Sequence, residues 1–141
     1  CYVVCEAGAA ITGGSPAVLR WSPARGGGVQ VWMDGLETPQ GIAAGDGGAV
    51  WVSTYGSPGR APGKVLARAR DGRVTTLAEG FWRSRGLMRT RDSLFLVTEA
   101  NEDDQGNSGL LAAIDPRTGA VSRLLDDLDY PQFGAVDRAG G

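Results

Sequence analysis

The sequence contains no histidine. That absence removes Ser-His-Asp triads, Cys-His dyads and every His-ligated metal site from this chain. Cysteine is scarce, with only Cys1 and Cys5. Four apart in an extended run, they share a face about 13 Å apart at roughly 3.3 Å per residue. A disulfide needs Cα atoms within about 7 Å, so no bridge between them is expected and cysteine does not reveal the compartment. No apolar run approaches the roughly 18 residues of a membrane span. Charge of one sign is not in excess, with 14 basic and 16 acidic side chains and a net charge of −2. That balance gives no electrostatic reason to expect nucleic acid or an anionic membrane as partner. No basic-then-apolar leader is visible. Because the chain begins at Cys1 rather than Met, the expected start of the protein lies upstream or has been removed, and any targeting segment with it.

What the chain has in abundance is glycine, 23 residues, joined by 7 prolines. Spread between short apolar runs, they indicate many tight turns. The runs repeat. Gly41-Ile42-Ala43 leading to Val50-Trp51-Val52-Ser53-Thr54 matches Gly86-Leu87-Met88 leading to Leu94-Phe95-Leu96-Val97-Thr98. A third copy opens at Gly134-Ala135-Val136, and its missing part stands at the other terminus as Cys1-Tyr2-Val3-Val4-Cys5. Two further columns follow. One holds Val18–Trp21, Val65–Arg68 and Leu110–Ile114; the other holds Val29–Asp34, Val74–Glu79 and Val121–Asp126. Between them lie hairpin turns such as Arg70-Asp71-Gly72 and Asp115-Pro116-Arg117-Thr118-Gly119.

Each copy therefore holds four short strands, and the aligned Cys1, Val50 and Leu94 are 49 and 44 residues apart. Four strands in a period in the forties predict β-propeller blades, each of which must stack on a neighbour to bury its two apolar faces. The expected fold is all-β, about three blade-equivalents of four antiparallel strands, forming part of a six-bladed ring. The expected divisions are a partial blade 1–36, blades 39–81 and 84–128, and the opening strand of the next blade at 131–141. The remaining blades come either from more of the same chain or from a second copy, making a half-propeller that homodimerises into a closed ring.

The strings Gly35-Leu36-Glu37-Thr38-Pro39-Gln40-Gly41-Ile42-Ala43 and Gly48-Ala49-Val50-Trp51-Val52-Ser53 resemble NHL-type blades and the related regucalcin/gluconolactonase and streptogramin-lyase propellers. The resemblance covers essentially the whole chain. It is weaker in the second copy, where Ser84 replaces the proline, and in the third, where Pro131-Gln132-Phe133-Gly134 carries one extra residue. It implies that the strand opening each repeat lines a central channel, with the residue before its glycine near the channel mouth.

On that reading the candidate ligand-binding residues are Gln40, Arg85 and Gln132. Loops reaching the same face add Glu6, Tyr55 and Glu99, and the corner before the second full repeat adds Trp82 and Arg83. Glu6 and Glu99 share a column and would form an acid–base pair if they met. The Trp82-Arg83-Ser84-Arg85 run, an aromatic beside two guanidiniums, suits a carboxylate or phosphate, or else packs over a blade seam. Gluconolactonase-like enzymes hold a divalent metal with oxygen ligands at the channel mouth. Here Gln40 and Arg85 stand at the equivalent positions, and an arginine repels a metal. Glu99, Asn101 and Asp103 are the remaining metal candidates, for calcium or another divalent ion, in a loop otherwise read as solvated acid. No resident cofactor is expected. Trp21, Trp32 and Trp51 fall in strand columns and are expected in the core.

The function expected first is a non-catalytic binding or scaffold module within a larger secreted or periplasmic protein, its ligand unidentified. A metal-dependent lactonase- or hydrolase-like enzyme with its site at the channel mouth is the alternative. One blade framework serves both, so the repeat itself does not choose.

Overall fold

The computed structural model describes residues 1–5, 13–23, 26–56, 59–103 and 105–137. Among these the regular structure is strand, apart from 3-10 conformation at Pro23 and a short 3-10 turn at Asp46–Gly48. The strands are β1 (Tyr2–Cys5), β2 (Ala17–Trp21), β3 (Val29–Met33), β4 (Pro39–Ala44), β5 (Val50–Thr54), β6 (Gly63–Arg68), β7 (Val74–Phe81), β8 (Ser84–Arg89), β9 (Leu94–Thr98), β10 (Gly109–Ile114) and β11 (Val121–Leu128). They form three antiparallel meanders: β1-β2-β3, β4-β5-β6-β7 and β8-β9-β10-β11. The first sheet has three strands rather than four, and no sheet closes on itself. Residues 131–137 carry no assigned strand, and 138–141 lie outside the described residues. No described helix is long and apolar enough to cross a membrane.

Period-2 alternation places the core between sheets. Ile42, Val50, Val52 and Leu66 on one face of the second sheet meet Val18, Met33 and Leu36 of the first. On its opposite face Ala43, Val65, Ala78 and Phe81 meet Leu87, Leu94, Leu96 and Ile114 of the third. Val50, Val52, Val65, Leu94, Leu96 and Ile114 are completely buried. Burying each such side chain contributes about 1.5–3 kcal/mol. Trp21, expected in the core, is 43% exposed, because its face of the first sheet has no sheet stacked on it. Trp32 and Trp51 are half-buried, and Trp32 is held between the guanidiniums of Arg20 and Arg68, at 4.5 and 3.8 Å.

Consecutive sheets are joined by the same corner. Gly35, Gly80 and Asp127 all have positive φ, and three residues later so do Thr38, Arg83 and Tyr130. The left-handed residues turn the chain from an outer strand towards the next inner position. In the third corner Asp127, at φ 58°, occupies the position that glycine fills in the other two. L-residues are strained there and glycine is not. Asp127→Gly is therefore expected to stabilise the fold by about 0.5–1 kcal/mol. A rise in the denaturant midpoint at unchanged m-value would show it, and a fall would mean that the aspartate side chain holds the corner.

Meander topology sends alternate connections to opposite ends of each sheet. The short hairpins, including 45–49, 69–73, 90–93 and 115–120, gather at one end. In the last of these Asp115 caps its own turn, its Oδ1 accepting from the backbone N–H of Arg117 and Thr118 at 2.7 and 3.0 Å. Those donors hold its carboxyl below the usual aspartate value. The longer loops, 55–62 and 99–108, and the three corners gather at the other end.

Candidate functional site

The loop end owes its polar cluster to a repeated β-bulge. The pairing of β4 with β5 runs from Pro39↔Thr54 to Ile42↔Val52, so β4 carries one extra residue at Gln40-Gly41. The pairing of β8 with β9 does the same at Arg85-Gly86, between Ser84↔Thr98 and Leu87↔Leu96. A bulge re-aims side chains at a sheet edge. Here it brings Gln40 and Arg85 together across neighbouring sheets, with Arg85 Nη1 donating to Gln40 Oε1 at 3.1 Å.

Arg85 is the hub. Its Nε donates to Glu99 Oε2 at 2.5 Å, with the two side chains only 25% and 15% exposed. Its guanidinium lies 4.8 Å from the ring centroid of Tyr55. The Tyr55 hydroxyl in turn accepts from Arg83 Nη1 at 3.1 Å. The backbone supports this arrangement. The N–H groups of Arg83 and Ser84 donate to the carbonyls of Gly56 and Tyr55, at 3.2 and 2.9 Å, and that of Glu99 donates to the Arg83 carbonyl at 2.9 Å. Arg83 and Ser84 of the corner are thereby tied to the preceding sheet's loop, which makes the cluster a rigid junction rather than a set of free side chains.

Five of the residues singled out from sequence thus meet: Gln40, Tyr55, Arg83, Arg85 and Glu99. Gln132 and Trp82 do not join them. Gln132 is exposed, and its backbone carbonyl packs at the Gly86 position instead. Trp82 lines a separate groove between the second and third sheets. Glu6 lies outside the described residues, so its pairing with Glu99 does too; the partner the structure places on Glu99 is Arg85. Of the metal candidates, Glu99 is engaged by that guanidinium. Asn101 caps its own loop, its Oδ1 accepting from the Gln105 N–H at 3.3 Å, and Asp103 is exposed. No group of three or more potential metal-binding side chains occurs among the described residues.

The Trp82 groove was not foreseen as a cavity. It measures about 590 Å³, and Glu79, Phe81, Trp82, Asn101, Ser108 and Arg123 are among its lining residues. A second cavity of about 490 Å³ occupies the corresponding place between the first and second sheets, lined in part by Leu36, Glu37, Thr54 and Arg60. The signal in the sequence was the column that pairs Leu36-Glu37 with Phe81-Trp82, but only the stacking of two sheets turns that column into a groove.

No protein-family model matches this chain, and no curated protein matches it either. The site is therefore read from its own geometry.

Proposed function

We propose that the chain is a run of propeller blades acting as a non-catalytic binding or scaffold module of a larger secreted or periplasmic protein. The loop end of its inner strands is its recognition face. The observation that carries this reading is the Arg85 junction. A guanidinium anchored by Glu99 and Gln40 and stacked on Tyr55 stands beside a second guanidinium, Arg83, on a face built of loops. Preorganised arginines of this kind recognise carboxylate or phosphate groups by directional, charge-assisted hydrogen bonds. With its carboxylate committed to Arg85, Glu99 serves as an anchor and not as a base or a metal ligand. Four-strand meanders stacked face to face, joined by one repeated corner, support the blade reading.

Titration with inorganic phosphate, followed through the arginine Nε–H signals in NMR, tests the recognition face. The expected result is saturable movement of the Arg83 and Arg85 signals. Arg83→Gln should weaken binding about tenfold, and rising salt should weaken it further. Phosphate that moves neither signal more than it moves those of the exposed Arg70 and Arg117 overturns the reading. Stoichiometric calcium binding by calorimetry, lost in Asp103→Asn, would replace it with the metal-dependent one.

A further inference from the structure

The two grooves between sheets are one architectural feature with different walls. Leu36, Glu37 and Thr54 line the groove between the first and second sheets. Phe81, Trp82 and Thr98, their counterparts in the next repeat, line the groove between the second and third. A void at both seams comes with the stacking, so only the lining residues distinguish the two.

The first groove has Glu37 where the second has Trp82, and no aromatic residue among its described lining. Its charges balance, Glu37 against Arg60. The second groove sets Glu79, Asp126 and Asp127 against Arg123 alone. Arg123 is engaged by Asp126 at 3.6 Å. Among the described residues neither Glu79 nor Asp127 has an ion pair. The second groove is thus net acidic, and a cleft lined by one sign of charge concentrates ions of the other. Buried Phe81, Ala100 and Ala112 give it an apolar wall beside half-buried Trp82. Its volume, about 590 Å³, falls within the roughly 300–1,000 Å³ of small-molecule sites. Asp127 adds an independent observation. At φ 58° it holds the left-handed conformation that glycine occupies in the other two corners, at Gly35 and Gly80. The fold alone is better served by glycine, and a strained side chain in a groove wall is the pattern of a ligand site.

We propose that the groove between the second and third sheets is a site for an organic cation with apolar substituents, an alkylated ammonium group. The ring quadrupole of Trp82 and the carboxylates of Glu79 and Asp127 attract its charge, and the wall of Phe81, Ala100 and Ala112 takes its alkyl groups. A primary ammonium suits the groove less well. It is more strongly hydrated, and an apolar wall cannot replace the water it would lose. The groove and the Arg83–Arg85 face therefore select opposite charges. No residue of the Arg85 junction lines the groove, so the phosphate titration does not bear on this proposal.

Choline and 3,3-dimethyl-1-butanol, its neutral carbon isostere, share a shape and differ in charge. Each is titrated into the 141-residue chain while the indole N–H signals of its four tryptophans are followed by NMR. Trp82→Leu identifies the Trp82 signal by removing it. Choline should move that signal saturably and leave those of Trp21, Trp32 and Trp51 in place. The alcohol should bind about tenfold more weakly, or about 1.4 kcal/mol, the scale of one cation–π contact. Glu79→Gln and Asp127→Gly should each weaken choline about threefold to fivefold, as expected for a partly exposed charge contact. Asp127→Gly should do so while raising the denaturant midpoint, which separates lost binding from lost folding. Choline that leaves the Trp82 signal unmoved overturns the proposal. Equal binding of the alcohol also overturns it, since the groove would then be apolar without charge selection. So does unchanged choline affinity when Glu79→Gln and Asp127→Gly are combined.

Discussion

Replacing Gly41 with alanine is expected to remove at least about 3 kcal/mol of stability, the upper end of what overpacking a core ordinarily costs. A Cβ on Gly41 would stand 2.6 Å from Leu87 N, 2.7 Å from Arg85 O and 2.7 Å from Ser53 Oγ. Two of these are backbone atoms of β8, already committed to its own sheet, and the third is the hydroxyl that accepts the Gly41 N–H at 3.0 Å. None can swing aside as the end of a flexible side chain could. The neighbouring sheet must shift, which would open the core around Ala43, Leu87 and Leu96. Gly86 provides the internal control. It stands in the same column, but its nearest neighbours, Phe133 Cα and Gln132 O, are at 3.2 and 3.3 Å and belong to a segment outside any sheet. Gly86→Ala is expected to cost under about 1 kcal/mol, because that segment can yield a few tenths of an ångström. Urea unfolding of the two variants measures the contrast. Equal losses would mean that the inner strands do not transmit the clash.

Arg85→Met should cost about 2 kcal/mol, less than the 3–5 kcal/mol typical of breaking a fully buried pair because both partners keep some contact with water. The loss arises from what remains behind. Glu99, with its side chain 15% exposed, would keep a largely buried carboxylate without its guanidinium. Neutralising it as well should restore more than half of the stability, so Arg85→Met with Glu99→Gln is expected to be more stable than Arg85→Met alone. A double-mutant cycle in urea gives the coupling directly, about 1–2 kcal/mol for groups in contact within one network. A coupling near zero would reduce Arg85 to a cation resting on Tyr55.

The strand columns were legible because alternation and glycine spacing are local properties. Val50, Val52, Leu94 and Leu96 lie at period two between turn residues, and all four are fully buried in strands. The gathering of Gln40, Tyr55, Arg85 and Glu99 at one end was also readable, because a meander allows no other placement of its connections. The partner of Glu99 was not readable. Column alignment joined it to Glu6, which lies outside the described residues, whereas the bulge at Arg85-Gly86 on the adjacent strand of its own sheet brings Arg85 within reach. Trp21 shows the opposite limit. Its strand column is the same as that of its core-facing counterparts, but whether a strand residue is buried depends on what covers its face.

The amino-acid order alone determined that this chain is all-β, that its strands recur in fours, that glycine marks the inner strands, and that none of its own side chains is a histidine. Each follows from composition or from a period of a few residues. Tertiary structure alone decided that Gln40 and Arg85 meet across two sheets, that Glu99 pairs with Arg85, and that Trp82 lines a groove away from them. These depend on contacts between residues 14 to 45 positions apart. Their geometry comes from the backbone bulges and the packing distance at Gly41, neither of which a one-dimensional pattern encodes.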